Sequence, residues 1–139
     1  MVDRLTPEHR SWNMSRIRGK DTAPELALRS MLHRAGYRFR VHREDLPGKP
    51  DIYLGGYRTA VFVHGCYWHR HPRCKKATTP GTRTEYWLNK FAGTVRRDQR
   101  KQAELEAQGI KVLTVWECEL EADPEAVLEQ VRSQLRRVH

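Results

Sequence analysis

Asp51-Ile52-Tyr53-Leu54-Gly55-Gly56-Tyr57-Arg58-Thr59-Ala60-Val61-Phe62-Val63-His64 is the stretch that decides the fold. A short run of strand-forming residues enters a Gly-Gly turn, and a second run, Thr59 to His64, leaves it. Antiparallel pairing sets Asp51, at the head of the first strand, beside His64, at the tail of the second.

Upstream, Leu46-Pro47-Gly48-Lys49-Pro50 is a turn, and Tyr37 to Val41 alternates with period two as a half-buried strand. A helix precedes it. Asp21 or Thr22 can cap that helix, Pro24 opens its first turn, and Glu25 suits its positive end. Leu26, Leu28, Met31, Leu32 and Ala35 supply the apolar stripe, and Gly36 stops the helix. Residues 1–22 are polar and basic and read as an N-terminal arm, leaving 23–139 as one domain.

Downstream, residues 65–82 are rich in Cys, His, Pro, Gly and Lys, a composition that cannot bury itself. A long helix follows from about Thr84 to Gln108, with Gly109 as its stop. Ile110 to Trp116 reads as a central strand, with Trp116 in the core. Pro124 opens a last helix with Val127, Leu128, Val131 and Leu135 on one face. The order α-β-β-β-α-β-α predicts an α/β domain, a mixed sheet flanked by helices.

The chain is short enough for one core, and lean: 38% of its 139 residues are hydrophobic and 31% charged. Lys and Arg number 26 against 17 Asp and Glu, a net charge of +9, which favours a polyanionic partner. Neither a membrane span nor a signal peptide is evident, so a cytoplasmic, nucleoid-associated protein is expected. Three cysteines in a reducing compartment argue against a disulfide framework and for metal ligation or buried thiols.

Cys66, His71, Cys74 and Cys118 make a Cys₃His set of the kind that holds structural zinc. Such a closed site consumes every cysteine, orders residues 65–82 and ties them to the end of a strand. Buried free thiols are the alternative. Asp51 can hold a hard divalent cation such as Mg²⁺, which polarises a phosphoryl oxygen and activates water. His64, His69 and Glu25 are near enough in sequence terms to join it. On spacing alone, Asp51 fits a turn equally well, and Glu25 fits a helix-dipole partner.

These residues carry a resemblance to the very-short-patch repair (Vsr) endonucleases. The matching stretches are Asn13-Met14-Ser15 with Ile17, Asp21-Thr22 with Glu25, Leu46 to Asp51, and Val61-Phe62-Val63-His64-Gly65-Cys66-Tyr67-Trp68-His69. Thr82 to Trp87, Arg97-Asp98 and Val115-Trp116-Glu117-Cys118 complete them. The resemblance implies a restriction-endonuclease-like fold of the PD-(D/E)XK type, with Phe62-Val63-His64 where an acid and a lysine would stand. It implies that Asp51 binds catalytic Mg²⁺ with help from the Val63 carbonyl. Many relatives have Thr there, so a role for that hydroxyl is absent here. It further implies that His69 moves the proton and is oriented by Asp98, that His64 contacts the phosphate, and that Glu25 holds the metal's hydration shell.

The activity implied is a nick on the 5′ side of the T in a T:G mismatch, the start of repair of deaminated 5-methylcytosine. Tyr67, Trp68 and Trp87 would wedge into the weakened stack. Arg10, Arg16, Arg18 and Lys20 of the arm, with Lys75, Lys76 and Arg83, would contact the DNA backbone. A monomer suffices to cut one strand. Mismatch-repair proteins are candidate partners, and family members accompany a cytosine methyltransferase. Two other readings stand beside this one: a related nuclease with a different mismatch or sequence target, and a zinc-ordered DNA-binding module without catalysis.

Overall fold

The computed structural model describes residues 22–137. Helix α1 spans Ala23–Arg34 and begins where the Thr22 hydroxyl accepts a hydrogen bond from the Glu25 amide. Strands β1 (Arg40–Val41), β2 (Ile52–Leu54) and β3 (Thr59–His64) follow. Helix α2 covers Thr84–Ala107, strand β4 Lys111–Trp116, and helices α3 (Glu117–Ala122) and α4 (Pro124–Gln134) close the domain. The four strands lie in the order β1-β2-β3-β4; the first two pairings are antiparallel and β3–β4 is parallel. The expected mixed sheet between helices is therefore present.

Alternation along β3 divides the core between the two faces of the sheet. Val61 packs with Leu28 and Leu32 of α1, Leu120 of α3 and Val127 and Val131 of α4. Ala60 and Phe62 face the other way, toward Leu105 of α2 and Ile110. A third cluster is aromatic: Trp68, Trp87 and Phe91, with Tyr67 against it.

Four expectations are corrected. Strand β1 has two residues rather than five: its partner β2 ends at Leu54 and turns into a 3₁₀ helix, so Tyr37 to Phe39 have no ladder to join, and Tyr37 and Phe39 pack against the core instead. The turn after β2 is a 3₁₀ helix, Gly55–Tyr57, closed by a left-handed Arg58, not a tight Gly-Gly turn. Strand β4 is an edge strand, only its Val115 is buried, and Trp116 is half-buried. Finally, Leu26 and Ala35 lie on the solvent side of α1, whereas Glu25 is buried. Helix α3 was not foreseen: the Trp116 amide donates to Glu119 Oε1 at 3.2 Å, which starts a helix directly from the strand end.

Candidate active site

The register places Ile52 opposite Val61, so the residue before β2 falls beside the end of β3. Asp51 Oδ2 accepts the Val63 amide at 2.7 Å, fixing the carboxylate at the sheet end. Burial pushes the Asp51 carboxyl up to about 6, opposed by that hydrogen bond and reinforced by the nearby Glu25 charge. Glu25, from the first turn of α1, is 2% exposed; its Oε2 meets Arg29 at 2.5 Å and His42 Nε2 at 2.9 Å. Glu25, His42 and Asp51 each offer a ligand atom within 4.8 Å of the others. Two carboxylates and an imidazole converging in this way suit a divalent cation. His42 was not anticipated; an isolated histidine in a loop gives no sequence signal.

The second group is His64, His69 and Asp98. The two imidazoles stack with centroids 3.8 Å apart and planes within 5°. His69 Nδ1 lies 2.7 Å from Asp98 Oδ2 on α2, so the contact expected between them is formed. Burial and the neighbouring His69 push His64 down to about 3. His64 is therefore neutral in the free protein at physiological pH. The acids and histidines thus form two groups rather than one cluster. Both open on one cavity of about 600 Å³, lined by Glu25, Asp51, Val63, His64 and His69.

Beyond this cavity the irregular segment turns around Cys66, His71, Cys74 and Cys118, whose ligand atoms also lie within 4.8 Å of one another. His71 Nδ1 is 3.6 Å from Cys66 Sγ and 3.3 Å from Cys118 Sγ. A tetrahedral zinc with Zn–S of about 2.3 Å and Zn–N of about 2.0 Å has edges close to these values. Burial pushes the Cys66 thiol up to about 12, whereas a hydrogen bond from the Lys76 amide lowers Cys74. A cation at this point would favour the thiolate of both. Arg70 also orders the segment: it donates to the Tyr67, Ala77 and Thr78 carbonyls and lies 4.0 Å over the Phe91 ring. The sequence reading had given that role to zinc alone.

The aromatic residues depart from expectation. Trp87 is 1% exposed and Trp68 8%, and both pack with Phe91. Trp87 is a floor of that cluster, not a presented ring, because α2 turns it inward. Tyr67 and Trp68 nevertheless line the cavity wall. Trp116, expected in the core, instead lies between two histidines: it stacks on His71 at 4.2 Å and meets His64 edge-on at 5.3 Å. Lys75 and Arg83 are exposed, and Lys76 is held by Glu121. Arg10, Arg16, Arg18 and Lys20 lie outside the described residues.

Residues 2–76 match the family described as DNA mismatch endonuclease Vsr. The chain belongs to this family. Among its relatives, the type II nicking enzyme V.XorIIP of Xanthomonas oryzae is 52% identical over 120 residues, covering 86% of this chain and 88% of that protein. The DNA mismatch endonuclease Vsr of Escherichia coli is 45% identical over 120 residues, covering 86% and 76% respectively. Among solved structures, the catalytic domain of the homing endonuclease I-Bth0305I superposes with a TM-score of 0.55 at 26% identity, over 81% of this chain and 92% of that one. As a Vsr family member the chain is a DNA endonuclease, a hydrolase of the phosphodiester backbone. That excludes the reading of a non-catalytic DNA-binding module. Among the described residues no helix is long and apolar enough to cross a membrane.

Proposed function

We propose that this endonuclease nicks duplex DNA on the 5′ side of the T in a T:G mismatch, with Mg²⁺ at Asp51 and structural zinc at the Cys₃His group. The observation that supports it best is the Asp51 carboxylate, tied to the Val63 amide and facing the same cavity as His69, whose Nδ1 meets Asp98. The fold then serves as a restriction-endonuclease-like core of the PD-(D/E)XK type whose second acid and lysine have been replaced. Asp51, with Glu25 and His42 close by and the Val63 carbonyl adjacent, holds the cation. When bound, the cation supplies positive charge to the phosphoryl group under attack.

The chain's own residues perform the rest. Asp98 fixes the tautomer of His69, so that Nε2 is free to take a proton from the attacking water and Asp98 stabilises the imidazolium that results. His64, neutral and stacked on His69, holds the second imidazole face and contacts the phosphate. Glu25, anchored by Arg29, orients solvent on the far side of Asp51. One such site cuts one strand, so a monomer is sufficient.

Recognition rests on deformability. A T:G pair stacks less well than its paired neighbours, and wedging side chains between steps costs a few kcal/mol. Tyr67 and Trp68 serve as the wedge, turning out of the aromatic cluster onto the bases, while Trp87 and Phe91 remain as its support. The basic residues 1–22 act as an arm along the backbone. The nick so placed would start very-short-patch repair of deaminated 5-methylcytosine, alongside mismatch-repair proteins.

The deciding experiment is a nicking assay in Mg²⁺ on duplexes carrying each mismatch and on the fully paired control. Nicking of the T:G duplex alone, lost in Asp51→Ala with binding retained, is the expected result. Equal cutting of the paired duplex would establish a different target.

A further inference from the structure

A phosphodiester brings a negative charge into a cavity lined by the carboxylates of Glu25, Asp51 and Glu117. Charge grows on the phosphoryl oxygens as the bond breaks. A fixed cation of the chain facing them would add to the charge a bound metal supplies. Lys101, on α2, lines the 600 Å³ cavity and also a smaller one of about 260 Å³ on the other side of the histidines. The two cavities share four residues: Phe62, His64, His69 and Lys101. Lys101 therefore stands with the paired imidazoles at the boundary between them.

Its stem is seated. A methyl group built on Gly48 would lie 2.6–2.8 Å from Cβ, Cγ and Cδ of Lys101, so the glycine is there to let the loop close over the lysine. Gly48 also has φ +74°, a conformation that a side chain resists. Among the described residues no carboxylate forms an ion pair with Lys101, although it is half-buried. Lys49 also lines the larger cavity, but it is exposed on the rim.

We propose that Lys101 is a catalytic residue whose ammonium contacts a non-bridging oxygen of the scissile phosphate and counters the charge developing there. This rests on the nuclease reading of the cavity given above. A half-buried cation whose stem is seated and that has no ion-pair partner among the described residues suits electrostatic catalysis. A phosphate contact merely on the rim would add to binding at every phosphate alike.

The test compares wild type, Lys101→Met, which keeps the stem against Gly48, and Lys101→Arg, which keeps the charge. Lys101→Gln serves if the Met variant does not fold, as judged by thermal unfolding. In single-turnover nicking at saturating enzyme, Met should lose about 100-fold or more, and Arg should recover about tenfold of that loss. A second readout needs no turnover: binding in EDTA to duplex with a methylphosphonate at the scissile position, which removes one charge. That substitution should weaken binding by wild type by about tenfold and by the Met variant by less than about threefold. Equal penalties in both proteins, or a Met variant nicking within about threefold of wild type, would overturn the assignment. If wild type nicks neither mismatched nor paired duplex, the reading of this cavity as the cleavage site fails and the assignment fails with it. If wild type nicks and the lysine variants match it, only Lys101 is displaced.

Discussion

Asp51→Asn should make the metal-free protein more stable while abolishing its activity. Moving the Asp51 pKa from 3.8 to about 6 costs the ionised form about 3 kcal/mol above that upper value. Below the unfolded pKa both states hold the proton and nothing is lost. Between the two values the folded state binds more proton than the unfolded one, so stability falls as pH rises. Above about 6 the full penalty persists. Asparagine keeps an oxygen for the Val63 amide and has no charge to bury. Denaturant unfolding of both proteins, without alkaline-earth ions, is the assay. The variant's advantage should be absent near the ordinary carboxylate range and grow to about 3 kcal/mol, an upper estimate, by pH 7. Adding Mg²⁺ at about 100 times its Kd should stabilise wild type by about 2.7 kcal/mol and leave the variant unchanged. An advantage that is flat with pH, or a variant less stable at neutral pH, would refute burial as the cause.

Other outcomes follow from the same geometry. Asp98→Asn should retain the fold and duplex binding but lower single-turnover nicking by about 10²–10⁴-fold, because the amide can donate to Nδ1 of His69, which selects the other tautomer, and carries no charge to stabilise the imidazolium. If the Cys₃His group holds zinc as proposed, metal analysis should find zinc in wild type and its loss in Cys118→Ser, with residues 65–82 becoming open to proteolysis. Gly48→Ala should cost about 1–3 kcal/mol in denaturant unfolding, from the left-handed backbone and the collision with Lys101 together. Trp116→Leu should lower kcat with little change in KM, since it removes the ring between His71 and His64 and touches no DNA-facing atom of the cavity.

The hairpin and the zinc-type cluster were legible because each has a local signal. The strand-forming run from Thr59 to His64 marks a strand without periodicity, and its pairing with Ile52 to Leu54 brings Asp51 to Val63. Four thiol and imidazole groups with short spacings need no tertiary information until Cys118. The pairing of His69 with Asp98 came from resemblance, since 29 residues separate them and Asp98 lies among Arg96, Arg97 and Arg100. His42 and Lys101 were illegible for a related reason. A histidine in a loop and one more base on a basic helix acquire meaning only when β1 and α2 converge on the sheet end. The error over Trp116 arose from reading an apolar strand as central. The parallel β3–β4 pairing instead leaves that strand at the edge, where its last ring is free to stack sideways.

That edge position explains how a lean chain orients its imidazoles. An aliphatic core could fix them only by surrounding them, yet an open space of about 260 Å³ adjoins His64, His69 and Asp98. A column of rings does the work instead. His71 turns Nδ1 to the cysteine sulfurs and its face to Trp116; Trp116 meets His64; His64 stacks on His69; and His69 ends on Asp98. Each contact is directional, so a rotation at one end is resisted at the other. On the reading proposed above, a zinc in the Cys₃His group would order the loop carrying Tyr67 and Trp68 and, through this column, also anchor the histidines at the phosphate. Recognition and hydrolysis would then be set by one element, and on that reading ordering residues 65–82 is a condition for both.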